Sequence, residues 1–315
     1  MAAFLVLFLT LVVGGALVWR IIPESFRSAW VPEAHQPIES SADLYLALYR
    51  SEALEHYVHF HGTDSEVERH LREAEVLFVG TSRMMLGFDP VPLSRFFGER
   101  GLRHYLLGFA FGESAPFTLA VVKRADLRPK WVVANVDGFF YPQSSRYGWE
   151  VMHSSRANAW QVIFETEATF AAIRGFHRWF PYAAVDRTKS VWLRSRTDGR
   201  WRPHFVPGQG RMIANPPRLS VPLDAQVLKT AKAFLEDCTR RGARLVLTFV
   251  PSPVGHREQA EALARELGVP LLSPALDGLE SYDGSHLTAA SATRFTEAFL
   301  KELGPVMAQP GTVTP

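Results

Sequence analysis

The sequence predicts an α/β fold in three α/β/α layers, with a central parallel sheet covered by helices on both faces and an N-terminal transmembrane helix. Three observations carry this expectation. Short, wholly apolar runs such as Val76-Leu77-Phe78-Val79 alternate with helical stretches, as buried parallel strands and their crossover helices do. The 315 residues are 47% apolar and 21% charged, enough for a sizeable core and too mixed for a disordered or multi-span chain. Ala2–Trp19 carries no charge over 18 positions. As a helix it would span about 27 Å, close to the roughly 30 Å hydrocarbon core.

That first segment reads as an anchor over residues 1–23. Trp19 and Arg20 would sit at the interface and Pro23 would end the helix. A cleaved signal peptide and a buried core helix are the alternatives. The first lacks a basic n-region before Phe4 and a small-residue exit at Val18-Trp19-Arg20. Arg20 and Arg27 follow the span, so the positive-inside rule taken literally puts the main domain in the cytoplasm. Residues 24–70 form a leader, with a helical stretch from Leu44 to His56 and a charged helix opening at Asp64-Ser65-Glu66. The main domain occupies residues 71–310.

Within it, Val76–Val79 is a strand ending in Gly80, and a second strand lies near His104–Leu107. Ser114–Ala125 reads as a helix, then Trp131–Val136 as a third strand. An aromatic and basic insert at 138–222 interrupts the rhythm, with a helix from about Asn158 to Phe180. The alternation resumes with a helix from Asp224 to Arg241, stopped by Gly242. Leu245–Val250 is a strand, Glu258–Leu267 a helix, Val269–Leu272 a strand and Thr288–Leu303 the last helix.

Composition narrows function only a little. Lys plus Arg total 34 and Asp plus Glu 32, a net charge of +2, which gives no reason to expect nucleic acid. The single cysteine, Cys238, excludes an intramolecular disulfide and argues against a cysteine-based zinc site. No glycine-rich phosphate loop is present.

Two motifs carry chemistry. The first is Val79-Gly80-Thr81-Ser82-Arg83, at the carboxyl end of the first sheet strand, where open α/β sheets bind ligands. Ser82 there is either a nucleophile facing the crevice or, like Thr81, a cap for the following helix. The second is Tyr282-Asp283-Gly284-Ser285-His286-Leu287-Thr288, before the last helix. A nucleophilic serine needs a base and that base needs an orienting acid. Asp283 and His286, three apart on one turn, supply that pair or form an ordinary Asp-Gly turn with a surface histidine.

Together these motifs resemble the SGNH (GDSL-like) hydrolase superfamily. Gly80-Thr81-Ser82 matches its nucleophile block and Asp283-Gly284-Ser285-His286 its final Asp-x-x-His. Ser82-Arg83 followed by Gly87-Phe88-Asp89-Pro90 is similar to a membrane-anchored bacterial branch that includes alginate acetylation and D-alanyl transfer proteins. Phe249-Val250-Pro251-Ser252-Pro253 and Gly268-Val269-Pro270 look like the run-up to the last block. The resemblance implies an acyl-serine mechanism without metal or cofactor, with Ser82 as nucleophile, His286 as base and Asp283 as orienting acid. It implies oxyanion donors at Gly108, or Gly112 as runner-up, and at Asn135. The family's Gly-x-Asn block reads here as Ala134-Asn135-Val136-Asp137, so Asn135 stands one position off and Val136 occupies the asparagine's place. The implied substrate is an acyl ester of an envelope polysaccharide or lipid, handled outside the cytoplasm by an esterase or O-acyltransferase; this placement outweighs the two-charge positive-inside signal, which is reliable only with larger asymmetries. The rival is a catalytically weak scaffold of the same fold that binds a glycan or a membrane-bound acyltransferase partner.

Two further clusters stand out. His56, His59, His61 and His70 invite a metal but lack a completing carboxylate pattern, and read as surface or packed side chains. Arg194, Arg196, Arg200, Arg202 and Arg211, with Trp192 and Trp201, read either as a face for anionic sugars or lipid head groups or as a solvated surface.

Overall fold

A computed structural model describes residues 41–49, 52–110, 112–179, 191–203, 211–212, 223–252 and 257–309. The span expected over Ala2–Trp19 lies outside them. No helix among the described residues is long and apolar enough to cross a membrane.

The described residues begin with β1 (Leu44–Tyr49), α1 (Leu54–His61) and α2 (Ser65–Glu73). It continues through β2 (Val76–Gly80), α3 (Ser82–Gly87), α4 (Pro90–Gly98), β3 (His104–Gly108), α5 (Ala115–Arg124) and β4 (Trp131–Asn135). The insert contributes α6 (Arg146–Met152), α7 (Arg156–Trp179), β5 (Val191–Ser195), β6 (Trp201–Pro203) and β7 (Arg211–Met212). Then come α8 (Ala225–Arg240), β8 (Arg244–Thr248), α9 (Arg257–Leu267), β9 (Leu271–Leu272), β10 (Glu280–Ser281) and α10 (Ala289–Ala308).

The central sheet has five parallel strands in the order β3-β2-β4-β8-β9. Successive side chains alternate between its faces. Leu77, Val79, Val132, Ala134, Leu245 and Leu247 pack with α1, α2, α5, α8 and α9. Val76, Phe78, Trp131, Val133 and Val246 pack with α3, α4 and α10. Both faces are therefore buried, which is why these strands read as unbroken apolar runs. Phe78 meets Phe88, Phe97 and Phe299 edge-on, fixing α4 and α10 against the second face.

The stretch Leu44–His56 corrects the sequence reading. Leu44–Tyr49 is a strand, not the start of a helix, and the helix begins only at Leu54. The run Leu-Tyr-Leu-Ala-Leu-Tyr is apolar at nearly every position, so it shows no period that separates strand from helix. Its partner is antiparallel β5, far along the chain, and β5 pairs in turn with β6. Tyr45, Leu46, Leu54 and Val58, from the stretch read as leader, are part of the larger core. The strand read over Val269–Leu272 shortens to Leu271–Leu272, because Pro270 has no N–H and contributes only its carbonyl, to Leu247.

Candidate active site

The carboxyl ends of β2, β3, β4 and β8 form one edge of the sheet, and the two motifs meet there. β2 ends at Gly80, where an added Cβ would lie 2.8 Å from Met84 Cβ and 3.1 Å from Asn135 Cβ, so a side chain would collide. Thr81, not Ser82, caps α3: its backbone is extended and its Oγ1 accepts from the Arg83 N–H. Ser82 is thereby released from the capping role that the sequence left open. It occupies the first helical position, and its N–H donates to no described residue.

The second motif folds on itself before reaching the first. Asp283 Oδ1 accepts the N–H groups of Ser285 and His286, each at 2.8 Å, forming an Asx turn. Gly284 takes φ +81°, a conformation that favours glycine, and its N–H donates to Ser281 Oγ at 2.8 Å. Tyr282 N–H donates to the His286 carbonyl, and Thr288 N–H to that of Glu280, closing the loop beside β10. β10 itself pairs with β7 of the insert.

His286 is thus held on a stiff turn with its ring toward α3. Its Nδ1 lies 2.7 Å from Asp283 Oδ2 and its Nε2 lies 2.9 Å from Ser82 Oγ. A carboxylate only accepts, so Nδ1 carries the proton and Nε2 accepts from the serine hydroxyl. Tyr282 stacks on the imidazole, ring centres 5.7 Å apart and planes 17° apart. Partial burial alone would raise the Asp283 carboxyl. The hydrogen bonds from the His286 ring and from the His286 and Ser285 N–H groups outweigh it, so the carboxyl stays ionised below its usual range. The His286 side chain is 18% exposed, so the assembly opens to solvent while its base stays sheltered.

A second pair of charges lies beneath the serine. Asp137, just past β4, has a fully buried side chain; its Oδ2 accepts from Thr81 Oγ1 at 2.9 Å and faces Arg83 Nη1 at 3.5 Å. Burial drives its carboxyl up to about 7 against the opposing pull of Arg83, Thr81 and Asn135. Arg83 Nε also donates to Ser285 Oγ at 3.1 Å. The sequence reading assigned no role to Asp137, Ser285 or the Arg83 side chain. A carboxylate directly after an apolar strand, at the crevice edge, was the available signal for Asp137.

Gly108 and Asn135, expected as oxyanion donors, end the strands on either side of β2. Gly108 is the last residue of β3, in register with Gly80, and a Cβ there would lie 2.7 Å from Met85 Cγ. Beyond it, the Phe109 N–H donates to the Gly80 carbonyl and the Ala110 N–H to Glu55 Oε1. Gly112 lies on the loop that follows, at φ +67°. Asn135 is fully buried; its Oδ1 accepts the Val250 N–H at 2.8 Å, while its Nδ2 faces Asp137 without a hydrogen-bond partner among the described residues. Val136 packs against the core on the opposite sheet face.

Of the two remaining clusters, His56, His59 and Arg194 are interior. His56 and His59 are fully buried, His61 pairs with Ser154 Oγ at 2.9 Å, and His70 lies on α2 beside Glu66. His59 Nδ1 contacts the Glu55 carbonyl and Nε2 the Tyr105 hydroxyl; burial holds its ring well below the usual range, and therefore neutral. Arg194 is fully buried and ion-paired with Glu55 at 2.8 Å, and Arg196 pairs with Asp64 at 2.8 Å. Trp201 donates through Nε1 to Glu55 and meets Trp192 edge-on. Arg194 and Trp201 are therefore interior anchors rather than part of a solvated or sugar-binding face.

No family model matches this chain, and no curated protein does. Among solved structures, a Bacteroides fragilis protein named as an acylhydrolase aligns over 76% of this chain and 91% of its own, at 11% identity and a TM-score of 0.34. A GDSL-like lipase from Bacteroides thetaiotaomicron aligns over 81% and 98%, at 13% identity and a TM-score of 0.34. At that identity and TM-score neither structure bears on what this site does.

Proposed function

We propose that this chain is a serine esterase or O-acyltransferase working through an acyl-serine intermediate. The observation that supports the reading is the unbroken hydrogen-bonded relay from Ser82 Oγ through His286 to Asp283. In the proposed cycle, His286 Nε2 takes the Ser82 proton as Oγ attacks the ester carbonyl. The tetrahedral oxyanion collapses, the C–O bond to the alcohol breaks, and His286 returns the proton to the departing alkoxide. Water or a sugar hydroxyl then gives its proton to His286 and attacks the acyl carbonyl, the bond from that carbon to Ser82 Oγ breaks, and His286 returns the proton to Oγ. Asp283 fixes the imidazole tautomer throughout and stabilises the imidazolium. The Ser82 N–H is the oxyanion donor nearest to hand, with Gly108 the second donor the family resemblance implies.

The substrate reading is an acyl ester of an envelope polysaccharide or lipid. It takes support from the resemblance to the envelope branch and from the apolar run Ala2–Trp19, which would tether the domain to a membrane on its extracytoplasmic side. A membrane-bound acyltransferase is the partner that branch suggests. A second reading is a catalytically weak scaffold of the same fold. It is favoured by one observation, that Val136, where strict alignment with the family block puts an asparagine, offers no side-chain donor.

Full-length protein treated with a neutral fluorophosphonate separates the two readings. Covalent labelling that disappears in Ser82→Ala, together with turnover of p-nitrophenyl acetate, is the expected result. A folded wild type that neither labels nor turns over any acyl ester overturns the enzyme reading and leaves the scaffold.

A further inference from the structure

We propose that Arg83 is a positioning residue that braces the Asp283–His286 turn against the nucleophile turn through Ser285, with Asp137 as its buried anchor. This rests on the serine mechanism above. The hydrogen bonds joining residues 81–87 to residues 282–287, among the described residues, are two: Ser82 with His286, and Arg83 Nε with Ser285 Oγ. The first must break and re-form in every catalytic cycle, since His286 becomes protonated and Ser82 acylated. The second survives those changes and keeps the two turns in register while the first is open.

The arrangement suits an arginine. Ser285 directly precedes His286, and its N–H is already committed to Asp283 Oδ1, so its hydroxyl oxygen is the part of that turn offered outward. The guanidinium is planar and presents Nε and Nη1 at a fixed separation. One edge contacts Ser285 and the other faces Asp137, whose Oδ2 also receives the Thr81 hydroxyl. Thr81 in turn caps the helix that begins with Ser82. Asp137 therefore touches both the residue before the nucleophile and the residue after it, and Arg83 carries that anchorage across to the base. A lysine ammonium, a single point on a flexible stem, cannot span both contacts.

The test compares full-length wild type, Arg83→Lys and Ser285→Ala. It measures the rate constant for phosphonylation of Ser82 by the neutral fluorophosphonate, kcat and KM for p-nitrophenyl acetate, and the unfolding midpoint. Small displacements of a base from its nucleophile cost rate steeply, so phosphonylation and kcat should fall roughly 10- to 100-fold in both variants with KM little changed. Ser285→Ala keeps the backbone bonds of the turn and the Arg83 charge, so a loss there reports the brace itself. A Ser285→Ala variant reacting at the wild-type rate overturns the proposal. So does a loss confined to KM, which would make Arg83 a substrate-binding residue, and so does Arg83→Lys at full rate, which would make its charge sufficient. A wild type that is not phosphonylated at all overturns the serine mechanism and the brace with it, and is thereby distinguished from failure of the brace alone.

Discussion

Arg194 and Glu55 meet as an ion pair with both side chains fully buried, Nη1 2.8 Å from Oε2, although one lies on a strand of the insert and the other near the start of α1. The pair is well supplied with hydrogen bonds. Arg194 also donates to the carbonyls of Gly199 and Leu106, and Glu55 also accepts from Trp201 Nε1 and the Ala110 N–H. The β1-β5-β6 sheet is thereby fastened to β3 and to the loop that follows it.

Removing one member of such a pair leaves the other charge buried and unpaired. Arg194→Ala should therefore cost about 3–5 kcal/mol in urea unfolding. The double change Arg194→Met with Glu55→Gln should cost far less, because no uncompensated charge remains. Hydrogen exchange at the Ala110 amide should accelerate in both, since its acceptor is altered or displaced.

Thr81 and Ser82 are neighbours with opposite expected phenotypes. Thr81→Ala removes the α3 cap and the hydroxyl that serves Asp137, and should cost about 0.5–2 kcal/mol. Ser82→Ala removes no cap and should leave the unfolding midpoint nearly unchanged while ester turnover falls to background. His286→Ala should match that loss, because nucleophile and base act as a unit. Undiminished turnover in folded Ser82→Ala would rule out the serine as nucleophile.

The buried Asp137 carboxyl gives stability a pH dependence of definite sign. Its pKa is raised to about 7 in the folded chain from 3.8, so between those values the folded state holds the extra proton. Its contribution to stability therefore falls as pH rises from about 4 to about 7 and is level beyond, a change on the order of a few kcal/mol. Asp137→Asn cannot ionise. The difference in unfolding free energy between Asp137→Asn and wild type should shift in favour of the variant from pH 4.5 to pH 7.5. A constant difference across that range would place the Asp137 titration elsewhere.

Much of this was legible in the residues. The buried strands announced themselves as apolar runs, and Gly80-Thr81-Ser82 and Asp283–His286 were each recognisable because a tight turn and a relay need those residue types close in sequence. What stayed hidden depended on distant partners. Leu44–Tyr49 has no period of its own, and only pairing with β5 makes it a strand. Arg194 looked like one of several surface arginines, because its acid, Glu55, belongs to another part of the chain. Asn135 Oδ1 is committed to the Val250 N–H, from just past a neighbouring strand. Sequence spacing reports local geometry, and these three were decided by tertiary contacts.

The last of them leads to a gain-of-function test. Asn135 and Val136 are adjacent, so their side chains point to opposite faces of the strand end. Asn135 lies on the Gly80 side, where its Oδ1 holds the Val250 N–H, and Val136, on the other face, stands where strict alignment with the family block puts the asparagine. The Val136 backbone is already held, its N–H donating to the Thr248 carbonyl at 2.8 Å, so the substitution changes the side chain on a settled main chain. Val136 is only partly buried, and Val136→Asn should lose no more than about 1–2 kcal/mol of packing. An oxyanion donor in good geometry is worth about 3–4 kcal/mol in the transition state. If the natural site lacks that donor, kcat for p-nitrophenyl acetate should rise in Val136→Asn while KM and the phosphonylation site stay the same. Adding Asn135→Ala to it should lower stability, because Asn135 Oδ1 holds the Val250 N–H. A folded Val136→Asn variant with unaltered kcat would mean that the oxyanion is served without a side chain at position 136, by backbone N–H groups around Ser82 or by the unpartnered Asn135 Nδ2.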